Sequence, residues 1–278
     1  MSELIALADV SYQYPKTEHV ALKKLTMKIE RGEWLTVLGR NGSGKSTFGR
    51  LLNGLLRPTS GEVFVEGLST GEEDAIWTIR RKVGMVFQNP DHQFVATTVR
   101  DDLAFGLENI GLDRTEMERR IEKYAALIGI ERFLEMEPHR LSGGQKQRAA
   151  IAGIMAMEPE IIVFDEATSM LDPLGRKEVL ATMSMLHQRG STIISITHDM
   201  EEALLASRLL LLAGGEKLAE GTPEQVFANA ELVRQAGLRV PFAVEMQRQL
   251  EKRGLSFHTA CLREEELITE LWRLSSTK

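Results

Sequence analysis

Apolar residues along this chain fall mostly in short runs set off by turn residues, and at helical spacing in the middle and at the end. Leu4 to Val10 reads as an opening strand, and Ala21 to Glu30 alternates as a second. Trp34-Leu35-Thr36-Val37-Leu38 is a short apolar run rich in strand formers, as a buried strand requires, and Ser46 to Asn53 after it reads as a helix. Arg57-Pro58-Thr59-Ser60-Gly61 breaks the chain before Glu62 to Gly67 alternates again. Lys82 to Phe87, Ile161 to Phe164 and Ser191 to Thr197 are further buried-strand runs, the second wholly apolar, as a central parallel strand covered on both faces would be. From about Thr97 to Glu137 the period changes: Met117, Ile121, Tyr124, Leu127 and Ile128 form one helical stripe, and Gln145 to Met157 continues as a helix. Arg208 to Glu220 reads as a hairpin turning at Gly214-Gly215. Short helices follow from Thr222, with Pro241 to Arg253 bounded by its proline and by Gly254. A last stripe of Leu267, Leu271 and Leu274, with Ile268 and Trp272, has two candidate covers, its own domain or another subunit.

Strands alternating with helices predict an α/β fold on a mostly parallel sheet, interrupted by a helical insertion. The 278 residues fit one large domain with an appendage. We place the main domain at residues 1–228, its helical insertion at about 97–157, and a helical tail at 229–278. A net charge of −6 gives no electrostatic case for nucleic acid. The single cysteine, Cys261, excludes a disulfide within the chain and fits a cytosolic setting. The longest apolar runs, such as Leu209 to Ala213, fall far short of the ~20 residues that span a bilayer.

The chemistry-bearing residues cluster where these strands end. Gly39-Arg40-Asn41-Gly42-Ser43-Gly44-Lys45-Ser46 fits the P-loop pattern without a mismatch, between a predicted strand and a predicted helix. Its glycines allow a tight turn with N–H groups pointing inward, and the helix start adds partial positive charge. Lys45 would reach the β- and γ-phosphates of a nucleotide, and the Ser46 hydroxyl would ligate Mg²⁺. Gln88 follows one strand, where it is either a plain loop residue or a group on metal or water. Asp165 and Glu166 follow another. Two adjacent acids there are costly unless a cation or hydrogen bonds compensate them, so Asp165 could hold Mg²⁺ and Glu166 could polarise water. His198 ends a third. Ser142, Gly143, Gly144 and Gln145 stand at a helix start, either as an N-cap or as a second anion site. Asp172 is placed to cap the helix beginning near Pro173.

Taken in order, these stretches resemble the ABC-type ATPases over roughly residues 3–228. Walker A is Gly39 to Ser46, the Q-loop glutamine Gln88, and the signature Leu141-Ser142-Gly143-Gly144-Gln145. Walker B is Ile161 to Asp165 with Glu166 after it, the D-loop Ser169 to Asp172, and the switch histidine His198. The resemblance implies a P-loop NTPase cassette with a RecA-like core and an antiparallel β subdomain, and ATP and Mg²⁺ as cofactors. It implies head-to-tail pairing in which the signature of one subunit closes on ATP held by the P-loop of the other. It casts Lys45, Ser46 and Thr47 as phosphate and Mg²⁺ ligands, Glu166 as general base, His198 as the group positioning the γ-phosphate and water, and Gln88 as the sensor of Mg²⁺ and the γ-phosphate that couples to the membrane subunit. An aromatic stacks on adenine in this family. Tyr14 looks like that residue, with Tyr12 the alternative.

Phe87 to Phe94, Asp101 to Asn109 and Phe164 to Pro173 are more specifically similar to the first of two paralogous ATPases in energy-coupling factor transporters, importers of vitamins and transition-metal ions. That likeness implies a second ATPase (a paralogue or a second copy), a transmembrane scaffold subunit and substrate-binding membrane subunits as partners. It also implies a peripheral position on the cytoplasmic face of the cell membrane, and a dimerisation role for the tail. A conventional ABC importer of sugars, amino acids or ions is the alternative, separated from this reading only by these segments and the tail.

Overall fold

The computed structural model describes residues 3–276, so Met1-Ser2 and Thr277-Lys278, at the outer ends of the predicted domains, lie outside the described residues. The chain opens with β1 (Glu3–Gln13) and β2 (Val20–Glu30), each alternating buried and exposed positions, and passes to β3 (Trp34–Leu38), which is buried throughout. Helix α1 (Lys45–Leu52) follows, then β4 (Ser60–Val65) and the short β5 (Leu68–Ser69). Helix α2 (Ile76–Lys82) is an element the hydropathy pattern does not signal. Only Ile79 of its residues is buried, so no apolar stripe announces it. It takes over Lys82 and leaves β6 only Val83–Val86.

The insertion consists of α3 (Val99–Asn109), α4 (Arg114–Ile128) and α5 (Gly143–Ala156). Strand β7 (Ile161–Asp165), α6 (Pro173–Gln188), β8 (Thr192–Thr197) and the single-turn α7 (Met200–Ala203) return the chain to the sheet. The hairpin β9 (Arg208–Ala213) and β10 (Glu216–Gly221) closes it, followed by α8 (Pro223–Ala228), α9 (Ala230–Gln235), α10 (Phe242–Glu251) and α11 (Glu264–Ser276).

Two sheets result. One is antiparallel, in the order β2-β1-β4-β5. The other runs β10-β9-β3-β8-β7-β6, with β9, β3, β8, β7 and β6 parallel. Side chains of this sheet alternate between two cores, as a strand's period of two requires. Trp34, Leu38, Ile162 and Phe164 face the helical layer. Leu35, Val37, Ile161 and Val163 face α1 and the antiparallel sheet. The first core continues past β10 to Phe227, Val233, Ala236 and Val244, so α8 and α9 rest on the main body. Beyond them, Ala243, Cys261 and Leu267 form a small cluster of their own between α10 and α11. The predicted α11 stripe is divided: Leu267 is buried and Leu271 packs beside it, while Ile268 and Trp272 are 53% and 71% exposed.

Candidate functional site

Parallel strands in register bring their C-terminal ends to one edge. Leu38 pairs with Thr197, Asp165 with Ile196, and Val86 with Phe164. The residues just beyond are therefore neighbours: the P-loop after β3, His198 after β8, Glu166 after β7 and Gln88 close behind β6. In open α/β sheets this edge is where ligands bind.

The P-loop turns sharply into α1. Gly44 is the N-cap, in the left-handed region at φ +102°, and a Cβ there would stand 2.3 Å from the carbonyl of Ala21. A glycine cap offers no side-chain acceptor, and no side chain caps the first-turn N–H groups of α1. Those donors and the helix dipole suit an anion. Beside them the buried Ser43 hydroxyl has no hydrogen-bond partner among the described residues. The Lys45 side chain is only 4% exposed; its ammonium donates to the Arg40 carbonyl at 3.2 Å and lies 3.6 Å from Glu166 Oε1. A nearly buried ammonium needs more than one acceptor nearby.

Ser46 donates its hydroxyl to Asp165 Oδ1 at 2.8 Å. Burial holds the Asp165 carboxyl above its ordinary range, and the Ser46 hydroxyl partly offsets that. These two oxygens are donors of the kind a hard cation takes. No group of three His, Cys, Asp or Glu among the described residues forms a closed cage. A hydroxyl and a carboxylate oxygen side by side suit Mg²⁺, which keeps water and substrate phosphate among its ligands.

Glu166 sits at φ +50°, a sparsely populated conformation for a side-chain-bearing residue, with its N–H bonded to the Ile196 carbonyl at 2.9 Å. This turn aims the carboxylate into the middle of the cluster. Gln88 Nε2 is 3.5 Å from Glu166 Oε2 and donates to Ser169 Oγ at 3.1 Å; His198 Nδ1 is 3.8 Å from the same Oε2. Ser169 in turn donates to the Glu166 carbonyl. Tyr12 is buried, with its ring edge-on to Tyr14 at 4.9 Å, while Tyr14 is half-buried and its hydroxyl is 3.1 Å from Thr47 Oγ1. Of the two, Tyr14 is the one whose side chain is hydrogen-bonded to the P-loop helix.

Ser142 to Gln145 are not part of this cluster. Among the described residues no hydrogen bond or ion pair joins them to the P-loop. Ser142 caps α5 in a reciprocal capping box with Gln145. Its oxygen accepts from the Gln145 N–H, which leaves the hydroxyl proton for another acceptor. Gly144 packs on α6, where a Cβ would come 2.8 Å from the Cα of Gly175. Asp172 caps α6 as predicted, accepting from Gly175 N at 2.9 Å.

Other contacts escape sequence reasoning. Gln147 donates to the Phe87 carbonyl, Lys146 pairs with Asp91, and Thr168 donates to the buried Glu202. The partners are 60, 55 and 34 residues apart, and no local spacing links them.

A family model described as ABC transporter matches residues 22–169, and one for the energy-coupling factor transporter EcfA1 C-terminal domain matches 241–278. The chain is 55% identical over 277 residues to the energy-coupling factor transporter ATP-binding protein EcfA1 of Halalkalibacterium halodurans, covering 100% of both chains. It is 51% identical over 278 residues to the protein of that name from Bacillus subtilis, covering 99% of this chain and 98% of the other. The solved structure of cbiO1 from Clostridium perfringens, part of the ABC transporter complex cbiONQ, superposes with a TM-score of 0.77 at 34% identity, over 90% of this chain and 100% of that one. The dimeric ATP-binding cassette MJ0796, in a post-hydrolysis state bound to ADP and Pi, gives a TM-score of 0.70 at 31% identity, over 79% of this chain and 98% of that one.

Proposed function

The chain belongs to the ABC transporter family, and from that premise we propose that it is the ATP-binding, ATP-hydrolysing subunit of an energy-coupling factor transporter, powering uptake of vitamins or transition-metal ions through separate membrane subunits. The observation that carries the chemistry is the placement of Glu166. Its carboxylate stands between Lys45, Gln88 and His198, at 3.6, 3.5 and 3.8 Å.

In the mechanism we infer, the P-loop N–H groups and Lys45 hold the β- and γ-phosphates, and Tyr14 stacks on adenine. Ser46, Asp165 and Gln88 would hold Mg²⁺, which when bound supplies positive charge against the phosphate oxygens. Glu166 orients and deprotonates the attacking water, and the strained turn that carries it fixes its direction in advance. His198 and Lys45 stabilise charge that develops on the transferred group. Ser142, Gly143, Gly144 and Gln145 lie apart from this chain's own P-loop, which supports their use by a second ATPase, a paralogue or another copy, paired head to tail. Asp172, at the start of α6 beside Gly144, would lie along the same junction. The tail at 229–278 would help hold the pair together. No helix of the described residues is long and apolar enough to cross a membrane; likeness to the ATP-binding subunits of transporters supports a peripheral position on the cytoplasmic face.

The direct test is a tagged pull-down of the full chain from solubilised membranes, read by mass spectrometry. Recovery of a second similar ATPase, a shared transmembrane scaffold and small substrate-binding membrane proteins would establish the reading. Two conventional permeases with an extracytoplasmic binding protein would replace it.

A further inference from the structure

Glu202 is a buried acid that the reaction above does not use. It lies on α7, one turn past His198, and is 1% exposed. An alkyl side chain would fill this place at less cost, because a carboxyl taken out of water must be compensated. Its compensation comes from residues next to the reacting groups. Thr168, two residues beyond Glu166, donates its hydroxyl to Glu202 Oε2 at 2.8 Å. The hydroxyl of Thr197, the residue before His198, acts on the same carboxyl and favours its charged form. Thr197 Oγ1 itself accepts from the Asp199 N–H at 3.1 Å, at the cap of the same helix.

The same short helix is tied to a third strut. Asp199 caps α7 by accepting from the N–H groups of Glu201 and Glu202, and it pairs with Arg176 of α6 at 2.5 Å. Helix α6 is the one that begins at Asp172 and packs on Gly144. The loop after β7, the loop after β8 and the start of α6 therefore meet around one carboxyl. Asp199 and Arg176 are the charged groups acting on it.

We propose that Glu202 is a positioning residue for hydrolysis: seated on α7 one turn past His198 and gripping Thr168, it holds the loop that carries Glu166 in register with the loop that carries His198. It touches neither substrate nor reacting atoms. A shift of about 1 Å between two such loops is enough to cost a large factor in rate while leaving the phosphate cradle intact. The proposal rests on the ATPase reading above.

The test compares Thr168→Val, Thr168→Ser, Glu202→Gln and Glu202→Leu, each in the full chain within the complex that hydrolyses ATP. Turnover, the KM for ATP, equilibrium ATP binding and thermal midpoint at pH 8 are measured together. Thr168→Val keeps volume and removes the hydroxyl; we expect turnover to fall about tenfold or more, with KM and ATP affinity within about threefold. Thr168→Ser restores the donor and should restore most of the rate. Glu202→Leu should behave like Thr168→Val, without a lower thermal midpoint, and Glu202→Gln should be intermediate. Should Glu202→Leu fail to fold, the two Thr168 variants decide alone. Variants whose turnover stays within about twofold of the parent, or falls only in proportion to the folded fraction, overturn the positioning role. Intact parent complex that hydrolyses no ATP overturns the ATPase reading instead.

Discussion

The ammonium of Lys146, on the first turns of α5, lies 2.5 Å from the carboxylate of Asp91, in the loop that follows Gln88. The pair joins the segment beside Glu166 to the helix that starts at Ser142. Gln147 strengthens the same junction by donating to the Phe87 carbonyl. Asp91 is 63% exposed, so the ion pair contributes little to stability, under about 1 kcal/mol. Its value lies in register. Asp91→Asn and Lys146→Met should each leave the urea midpoint nearly unchanged and reduce ATP turnover severalfold, and the double variant should be no worse than either single one. Strictly multiplicative losses in that double-mutant cycle would show that the two residues act separately.

Glu166→Gln keeps size and removes the base. ATP hydrolysis should fall by about a hundredfold or more, while ATP binding persists within a few-fold. Filter binding and phosphate release measure the two sides. Ordinary turnover in this variant would remove Glu166 from the base role.

Tyr12 and Tyr14 should separate cleanly. Tyr12 is buried among Leu22, Leu25 and their neighbours, so Tyr12→Ala should cost about 3–5 kcal/mol of stability, by analogy with other large aromatic truncations. Tyr14→Ala should cost little stability and weaken ATP binding about tenfold, the loss of one base stack. Unfolding curves and nucleotide titrations of both variants check this. The opposite pattern would make Tyr12 the stacking residue.

Stability should carry a pH signature from Glu202. Burial pushes its carboxyl up from an ordinary 4.5 to about 7, with the Thr168 hydroxyl opposing and Asp199 adding to the shift. Between those values the folded chain keeps a proton that the unfolded chain has released. The stability this contributes is complete below about 4.5 and is lost as pH rises through about 7. Its size is on the order of 3 kcal/mol at most. Glu202→Gln, which cannot ionise, should therefore gain stability relative to the parent between pH 5 and pH 8. Denaturant midpoints at the two pH values measure it, and a constant difference would show that the carboxyl ionises as in water.

The residues that bind and cut a nucleotide were legible because their information is local. A strand, a glycine loop and a helix start lie together within Trp34 to Leu52, one contiguous stretch whose pattern is complete in itself. Asp165, Glu166, Gln88 and His198 were legible as polar residues at the ends of apolar runs, since parallel strands align such ends without further instruction. The rest depended on contacts between distant parts of the chain. Helix α2 has one buried residue and so leaves no period to read. Two tyrosines two positions apart, one near the end of β1 and one just beyond it, look equivalent until the antiparallel sheet closes over the first. The separation of Ser142 from its own P-loop, the bond between Lys146 and Asp91, and the carboxyl of Glu202 beneath Thr168 are likewise decided by which surfaces pack together. The chemistry at each strand end is local and can be read from a few adjacent residues. How those ends are held against one another emerges only on packing, because that holding is done by side chains whose partners lie 34 to 60 residues away.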